Sequence, residues 1–289
     1  MEPWLVFTFA SILFAWLNTF LLKVVSQRNY NPNLVILIRY ALWSVFALIV
    51  YFYSTWGNFD LNFIYILLGL WFIKMFTSYF TTIFKIEWMR YLDSTIFLPI
   101  YKTFAIIFIT IISLFFFSEN LSYSAVIWIV LWLFVPILLI NKKESTLQLD
   151  LKKWLLFTLW SAISVSIWAT INKYVNVSWF NAEFFTFLFL FFGIFLTSLQ
   201  YKRSLRNNKT KKYNTKWIYW FGLLFGLLTF LVSWTFIKAM SWNLAIVYTM
   251  NSFSILIPII LSVIFYKEEM TLKKAFVIFL SIVSVILFI

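Results

Sequence analysis

The chain has 289 residues, of which 63% are hydrophobic, 24% are aromatic and only 11% are charged, and its formal net charge is +13. A soluble domain of this length does not have enough interior to bury so many apolar side chains, so the composition predicts a protein surrounded by lipid. Because the sequence contains neither cysteine nor histidine, it excludes a disulfide framework, the usual zinc ligands and catalysis by either residue type.

In chain order, ten apolar stretches are long enough, or nearly so, to cross about 30 Å of hydrocarbon as helices. These predicted helices 1 to 10 lie at 4–24, 34–53, 62–84, 95–117, 123–140, 154–174, 184–201, 217–237, 243–266 and 272–289. The two longest polar gaps are 141–153 and 202–216. The predicted fold class is therefore an all-α integral membrane protein with ten transmembrane helices.

The first and sixth predicted helices resemble each other. At an offset of 149 or 150 residues, the same residue type recurs in several pairs along the chain. These pairs are Trp4/Trp154, Leu5/Leu155, Phe7/Phe157, Thr8/Thr158, Ser11/Ser161, Lys23/Lys173, Asn31/Asn181, Ser113/Ser262 and Glu119/Glu268. A membrane chain built from two similar halves is typical of a secondary transporter whose substrate site lies between the repeats.

The gap at 141–153 divides the chain into two predicted repeats of five helices each. We assign residues 1–141 to the first repeat, 142–153 to a cytoplasmic linker and 154–289 to the second repeat. Since five is an odd number, the second repeat enters the membrane from the opposite side, so the two repeats are predicted to be inverted relative to each other.

The basic residues predict the orientation of the chain. With the loops numbered in order, 18 of the 23 basic residues lie in odd-numbered loops or at the adjoining helix ends. Only Lys173 and Lys238 lie on the even-loop side. This bias predicts a multi-pass protein of the cell (inner) membrane, with the odd loops in the cytoplasm and both termini outside. It also accounts for most of the net charge without a nucleic-acid partner, although the basic run at 202–216 can also bind anionic lipid headgroups.

Three short segments resemble motifs of one known family. They are YNPNLVILIRYAL (30–42), SLFFFSENLS (113–122) and PIILSVIFYKEEMT (258–271). In their order and spacing, and with ten helices, the chain resembles the drug/metabolite transporter superfamily in its form with two EamA-type repeats. That resemblance implies alternating access to a central cavity by a monomer or homodimer in membrane lipid, with a small-molecule substrate, no cofactor and no enzymatic activity.

Three basic residues lie deep within apolar helices: Arg39, Lys74 and Lys102. A charge at such a depth costs about 2.5–3.5 kcal/mol on insertion scales, so it normally faces a cavity or a partner. No acidic residue lies at a comparable depth in any predicted helix. The pattern therefore predicts a cavity that binds an anion.

These cations also have other interpretations. Arg39 lies near the start of its helix and can extend to the headgroups. Lys74 can serve an ion pair or extend to the headgroups, and Lys102 can form a structural pair with Glu87 or Glu183. The spacing from Lys102 through Ser113 to Glu119 is similar to that in plastid triose-phosphate translocators, a branch of the same superfamily, and this resemblance implies that Lys102 contacts substrate phosphate.

The remaining predicted cavity residues follow from helix faces and the repeat offset. Ser78 lies on one face with Lys74, and the offset pairs Lys102 with Asn251. We also predict that Asn18, Tyr248 and Trp168 face the cavity.

We predict a secondary transporter of a small anionic or zwitterionic metabolite. The alternative function is a flippase for a lipid or lipid-linked sugar, which the high aromatic content also suits. Without histidine, cysteine or a deep pair of carboxylates, a membrane enzyme is disfavoured. The lack of a charged ring or filter-like loop disfavours a channel.

Overall fold

A computed structural model describes residues 2–54, 64–88, 94–127, 129–131, 151–178, 182–207 and 216–255, with a few residues between 260 and 279. Every regular element in these ranges is helical. The helices are α1 (Pro3–Gln27), α2 (Pro32–Ser54), α3 (Ile64–Trp88), α4 (Ser94–Phe116), α5 (helical residues 123–127 and 129–131), α6 (Leu151–Val177), α7 (Ala182–Asn207), α8 (Ile218–Ala239) and α9 (Leu244–Asn251).

Within the described ranges, four helical segments are long and apolar enough to cross a membrane: Pro3–Gln27, Pro32–Tyr53, Phe184–Arg206 and Ile218–Ala239. The predicted all-α, membrane-embedded class is therefore confirmed, while ten spans and two inverted repeats stay predictions. Residues 142–150 of the predicted linker lie outside the described residues, and so does most of predicted helix 10. The last three residues of that linker are helical because α6 begins at Leu151.

The distribution of side chains supports lipid as the solvent. Large apolar side chains cover the outside: Phe195 is 65% exposed and Ile49 57%. Small polar side chains are instead buried between helices, and Ser11, Ser161 and Thr197 are each 0% exposed. The hydroxyl of Thr197 tolerates this burial because it donates a hydrogen bond to the carbonyl oxygen of Gly193, one turn earlier, at 2.7 Å.

The helices of the first half pack mainly against those of the second half. Helix α2 lies against α7 and α8, and α1 lies against α8 and α9. Helix α6 packs against α3 and α4, while α3 also contacts α7, and α4 contacts α9. The interior is thus formed jointly by both halves of the chain.

Two glycines allow α8 to approach α2 closely. Gly222 and Gly226 form a G-x-x-x-G sequence, in which both residues lie on one helix face. A Cβ atom on Gly222 would lie 2.8 Å from Cγ2 of Ile38, and one on Gly226 would lie 3.1 Å from the carbonyl oxygen of Arg39. Side chains at these positions would separate the two helices.

Predicted helix 9 is not one continuous α-helix. Helix α9 begins at Leu244, where the Asn243 side chain accepts a hydrogen bond from the amide of Ile246 at 3.1 Å. The α-helix ends at Asn251 and continues as a 3₁₀ turn over Ser252–Ile255. Pro258 follows in the sequence and has no amide hydrogen to donate to the carbonyl of Ser254, so the sequence itself favours an interruption there. Short 3₁₀ stretches within helices often occur at functional hinges.

Candidate functional site

Two adjoining cavities, each of about 140 Å³, lie between the two halves of the chain. We call them the arginine lobe and the tyrosine lobe of one central cavity because they share five lining residues. The shared residues are Asn18, Lys85, Val165, Trp168 and Val232. The arginine lobe is further lined by Arg39, Trp43, Ser78, Thr81, Thr82, Ser164, Thr229 and Ser233. The tyrosine lobe is further lined by Ala15, Thr19, Leu22, Leu98, Tyr101, Lys102, Phe236, Tyr248, Asn251 and Ser254.

The arginine lobe is rich in hydroxyl groups. The guanidinium of Arg39 donates a hydrogen bond from Nη1 to Oγ1 of Thr82 at 3.3 Å, and its Cζ lies 4.8 Å from the ring centroid of Phe225. Among the described residues, Nε of Arg39 and Oγ1 of Thr81 are fully buried and find no hydrogen-bond partner. The guanidinium of Arg39 and the several hydroxyl-bearing side chains give this lobe a polar lining, which suits a polar ligand.

In the tyrosine lobe, the ammonium group of Lys102 lies 5.0 Å from the ring centroid of Tyr248. Within the described part of the chain, Lys102 forms no hydrogen bond or ion pair. Asn251 lines the same lobe and donates a hydrogen bond from Nδ2 to Oγ of Ser11 at 2.7 Å. Lys102 and Asn251, which the repeat offset pairs, thus line one cavity.

Lys85 connects the two lobes. Its ammonium group donates a hydrogen bond to the hydroxyl of Tyr101 at 2.7 Å and lies 4.1 Å from the centroid of that ring. It also repels both Arg39 and Lys102 electrostatically. Three cations therefore border the cavity, and among the described residues that line it there is no carboxylate. In a site of low dielectric constant, such an arrangement favours an anion.

Sequence reasoning missed Lys85 as a site residue, because it counted this lysine among the basic residues at the cytoplasmic helix ends. The signal that could have found it is its spacing. Ser78, Thr81 and Lys85 follow Lys74 at i+4, i+7 and i+11, which is one face of α3. The three residues all line the arginine lobe.

Lys74 lies outside both lobes, 1% exposed. Its ammonium group donates a hydrogen bond to Oδ1 of Asn172 at 2.6 Å. It also lies 4.6 Å from the ring centroid of Phe185 and 4.7 Å from that of Phe189. These contacts connect α3 to α6 and α7. The structure thus gives Lys74 protein partners, and its predicted contact with substrate stays a prediction.

The other seven predicted cavity residues line the lobes: Asn18, Arg39, Ser78, Lys102, Trp168, Tyr248 and Asn251. Arg39 is 8% exposed and bonded inside the protein, which does not fit an extension to the headgroups. The side chains of Glu87 and Glu183, the alternative partners of Lys102, lie outside the described residues. Trp168 stacks on Phe236, with ring centroids 5.4 Å apart.

A buried polar cluster lies at the end of the molecule near α9. The ammonium of Lys173 pairs with Oε1 of Glu119 at 2.9 Å and donates to the carbonyl oxygens of Met240, at 2.9 Å, and Trp242. The second oxygen of Glu119 accepts hydrogen bonds from Ser113 and, at 2.8 Å, from the amide of Leu244. The cluster connects the ends of α4, α6 and α8 with the start of α9. We name it the Glu119–Lys173 cluster.

No family model matches the sequence, and no curated protein matches it. Among solved structures, a chain described only as "Crystal structure of protein" is similar in fold, with a TM-score of 0.73 and 12% sequence identity. The match covers 98% of this chain and 94% of that one. The similarity extends over the whole chain and concerns the fold alone. Fold and composition together define an all-α integral membrane protein with a cationic cavity between its halves.

Proposed function

We propose that this protein is a secondary transporter of a small organic anion. The observation that carries the proposal is the central cavity, which Arg39, Lys85 and Lys102 border and whose described lining residues include no carboxylate. A transporter needs a site that both halves share and that binds one class of solute. A cavity with a net positive charge attracts anions and repels organic cations.

The contacts between helices support two inverted repeats that rock against each other. If helices 1 to 4 correspond to helices 6 to 9, the contact of α1 with α8 corresponds to that of α6 with α3. In the same way, α2 with α8 corresponds to α7 with α3, and α1 with α9 corresponds to α6 with α4. Such paired contacts are expected around a pseudo-twofold axis, and alternating access then follows from movement of one repeat relative to the other.

The interruption of α9 supports a substrate site at this position. Asn251 and Ser254 lie where the α-helix gives way to the 3₁₀ turn, and both line the tyrosine lobe. Transporters commonly bind substrate at discontinuous helices, because an interrupted helix leaves backbone groups free to contact it. The charge bias of the loops adds the proposed location, the cell (inner) membrane with odd loops in the cytoplasm.

A ligand screen followed by transport in liposomes tests the proposal. We expect organic anions to raise the apparent melting temperature of the purified protein, since binding to the folded state stabilises it, while organic cations do not. The stabilising anion should enter liposomes that contain the wild-type protein. The Lys102→Ala variant should lose this uptake, whereas Lys202→Ala, which removes an exposed lysine, should keep it. Stabilisation by cations alone, or full uptake by Lys102→Ala, would contradict the proposal.

A second candidate function is a lipid flippase, which one further cavity favours. This groove of about 570 Å³ is lined by Phe20, Leu21, Val24, Gln27, Arg28, Phe221 and Phe265. Apolar walls beside one arginine suit an acyl chain and an anionic headgroup. In liposomes with a fluorescent phospholipid, a flippase would expose the label to an external quencher faster than empty liposomes do, and a transporter of soluble anions would not.

A further inference from the structure

We propose that the substrate carries two acidic groups, one held in the arginine lobe and the other in the tyrosine lobe, with Lys85 between them. The inference rests on the proposed function and adds to it the class of substrate, a short organic dianion. Three observations support it: two cations in separate lobes, a third cation shared by both, and a polar lining of hydroxyl-bearing side chains around Arg39.

The arginine lobe is built to receive one acidic group. Arg39 lines this lobe and is held in place by Thr82 and by the ring of Phe225. The hydroxyl-bearing side chains of Ser78 and Thr81 line the same lobe. A carboxylate or phosphate accepts hydrogen bonds from such donors, and guanidinium groups bind both with favourable geometry.

The tyrosine lobe offers a second, different cation. Lys102 has no carboxylate partner within the described residues and contacts only the face of Tyr248 through its ammonium group. Asn251 stands in the same lobe. A lysine ammonium is a compact charge that binds oxyanions without a fixed orientation. This lobe therefore suits the terminal acidic group of a flexible chain.

Lys85 makes two acidic groups more favourable than one. It lines both lobes and repels the cation in each of them. A monoanion in either lobe leaves two of the three cations uncompensated at low dielectric constant, whereas a dianion that spans the lobes reduces the repulsion on both sides. The hydroxyl of Tyr101 holds Lys85 at this position.

Binding measurements with matched acids test the inference. The full chain in lipid nanodiscs is titrated calorimetrically with succinate, glutarate and 3-phosphoglycerate, and with butyrate and valerate as monoanions of the same chain lengths. We expect at least one dianion to bind about tenfold or more tightly than its matched monoanion, which is the scale of one additional charge-assisted contact. The comparison of glutarate with 3-phosphoglycerate separates a dicarboxylate from a phosphorylated acid.

Variants of the two cations then test whether each lobe binds one acidic group of the dianion. Arg39→Gln and Lys102→Gln should each lower the affinity for the dianion about tenfold and reduce its preference over the monoanion. Arg39→Lys, which retains the charge, should keep most of that preference. If it does, the effect of Arg39→Gln comes from the lost charge and not from a folding defect. The controls are Arg203→Gln and Lys202→Gln, which remove exposed cations.

Each negative result of these experiments overturns a different part of the proposal. Equal affinity for succinate and butyrate, and for glutarate and valerate, overturns the two-group substrate and leaves an anion transporter intact. If neither these five acids nor any other organic anion of the ligand screen binds the folded wild-type protein, the proposed function itself fails. If Arg39→Gln and Lys102→Gln bind the dianion as tightly as the wild type does, the assignment of its two ends to the two lobes is overturned.

Discussion

At Lys74, a buried charge is balanced by an amide and two aromatic rings. The ammonium group donates a hydrogen bond to Asn172 on α6 and contacts the rings of Phe185 and Phe189 on α7. Lys85, eleven residues later on the same face of α3, borders the cavity. Eleven residues correspond to about 16 Å along a helix, so residues on one face meet different neighbours. The role of each lysine depends on its depth as much as on its face.

We expect Asn172→Ala to destabilise the protein by about 1.5–3 kcal/mol, the usual range for a hydrogen bond to a charged group. The measurement is the apparent unfolding free energy in detergent. Lys74→Met with Asn172→Leu, which removes both polar partners, should recover part of the loss because no buried charge remains unpaired. Thr170→Ala is the control on α6, since its hydroxyl bonds only to the preceding turn. A double variant that is less stable than Asn172→Ala would rule out this coupling.

Substitution of Lys74 also tests whether this lysine has a structural role or binds substrate. Because its ammonium group lies outside both lobes, we expect a folded Lys74→Met protein to bind the transported anion within about twofold of the wild type. The comparison is with Lys85→Gln, for which we expect a loss of tenfold or more, the scale of one charge-assisted contact. Affinity is measured by calorimetry on both proteins. A tenfold loss of affinity for the anion in Lys74→Met would instead show that this lysine belongs to the substrate site.

At the scale of elements, the packing of α8 against α2 depends on two glycines. Gly222 and Gly226 lie one turn apart and face Ile38, Leu42 and the backbone of Arg39. In lipid, close approach of helices is driven by packing and not by the removal of apolar surface from water, so small residues at the contact matter greatly. This contact also positions Arg39 at the cavity, which couples helix packing to the site.

We expect Gly226→Ala to lower both the melting temperature and the affinity for the anion. The added Cβ would lie 3.0 Å from Cβ of Leu42 and 3.1 Å from the carbonyl oxygen of Arg39, so α2 must move by a few tenths of an ångström. The control is Gly69→Ala on α3, where a Cβ would have no neighbour within 4 Å. That variant should be neutral or slightly stabilised, because alanine favours the helix. Equal effects of the two substitutions would contradict the proposed role of the α2–α8 contact.

At the scale of the whole molecule, the Glu119–Lys173 cluster joins helices from both halves at the end of the chain near α9. The ion pair is largely buried, with side chains 8% and 12% exposed. Breaking a buried pair by removing one charge costs about 3–5 kcal/mol, because the other charge remains without its counterion. We therefore expect Glu119→Gln to lower the melting temperature clearly, while Glu2→Gln, an exposed control, leaves it unchanged.

The same end of the molecule should open and close if the protein works by alternating access. The rings of Trp4 on α1 and Trp242, which follows α8, lie 4.2 Å apart between centroids and come from different halves. Since the natural chain contains no cysteine, Trp4→Cys with Trp242→Cys introduces two unique thiols. A short bifunctional thiol reagent that forms disulfides should stop transport, and reduction should restore it. The single variants treated with the same reagent are the controls, and unimpaired transport by the cross-linked protein would exclude opening at this end.

Hydrophobic patterning alone is enough to predict the lipid-embedded helical class, the approximate bounds of α1–α4 and α6–α8, and the deep position of the three cations within apolar helices. Hydrophobic length and periodicity are local properties, and the insertion cost of a charge depends on depth alone. The doubled sequence also predicted that Lys102 and Asn251 share a site, and they line one lobe. The interruption of helix 9 was not predicted, although Pro258 favours it.

Which polar groups contact each other depends on how the helices pack. In the folded protein Lys74 bonds to Asn172, Lys85 lines the cavity, and the glycines of α8 pack against α2. A helical pattern assigns a residue to a face, but the neighbour across that face comes from a distant part of the chain. Lys74 and Asn172 are 98 residues apart, and Ser11 and Asn251 are 240 residues apart. The partners of each buried charge therefore depend on long-range packing, which local periodicity does not encode.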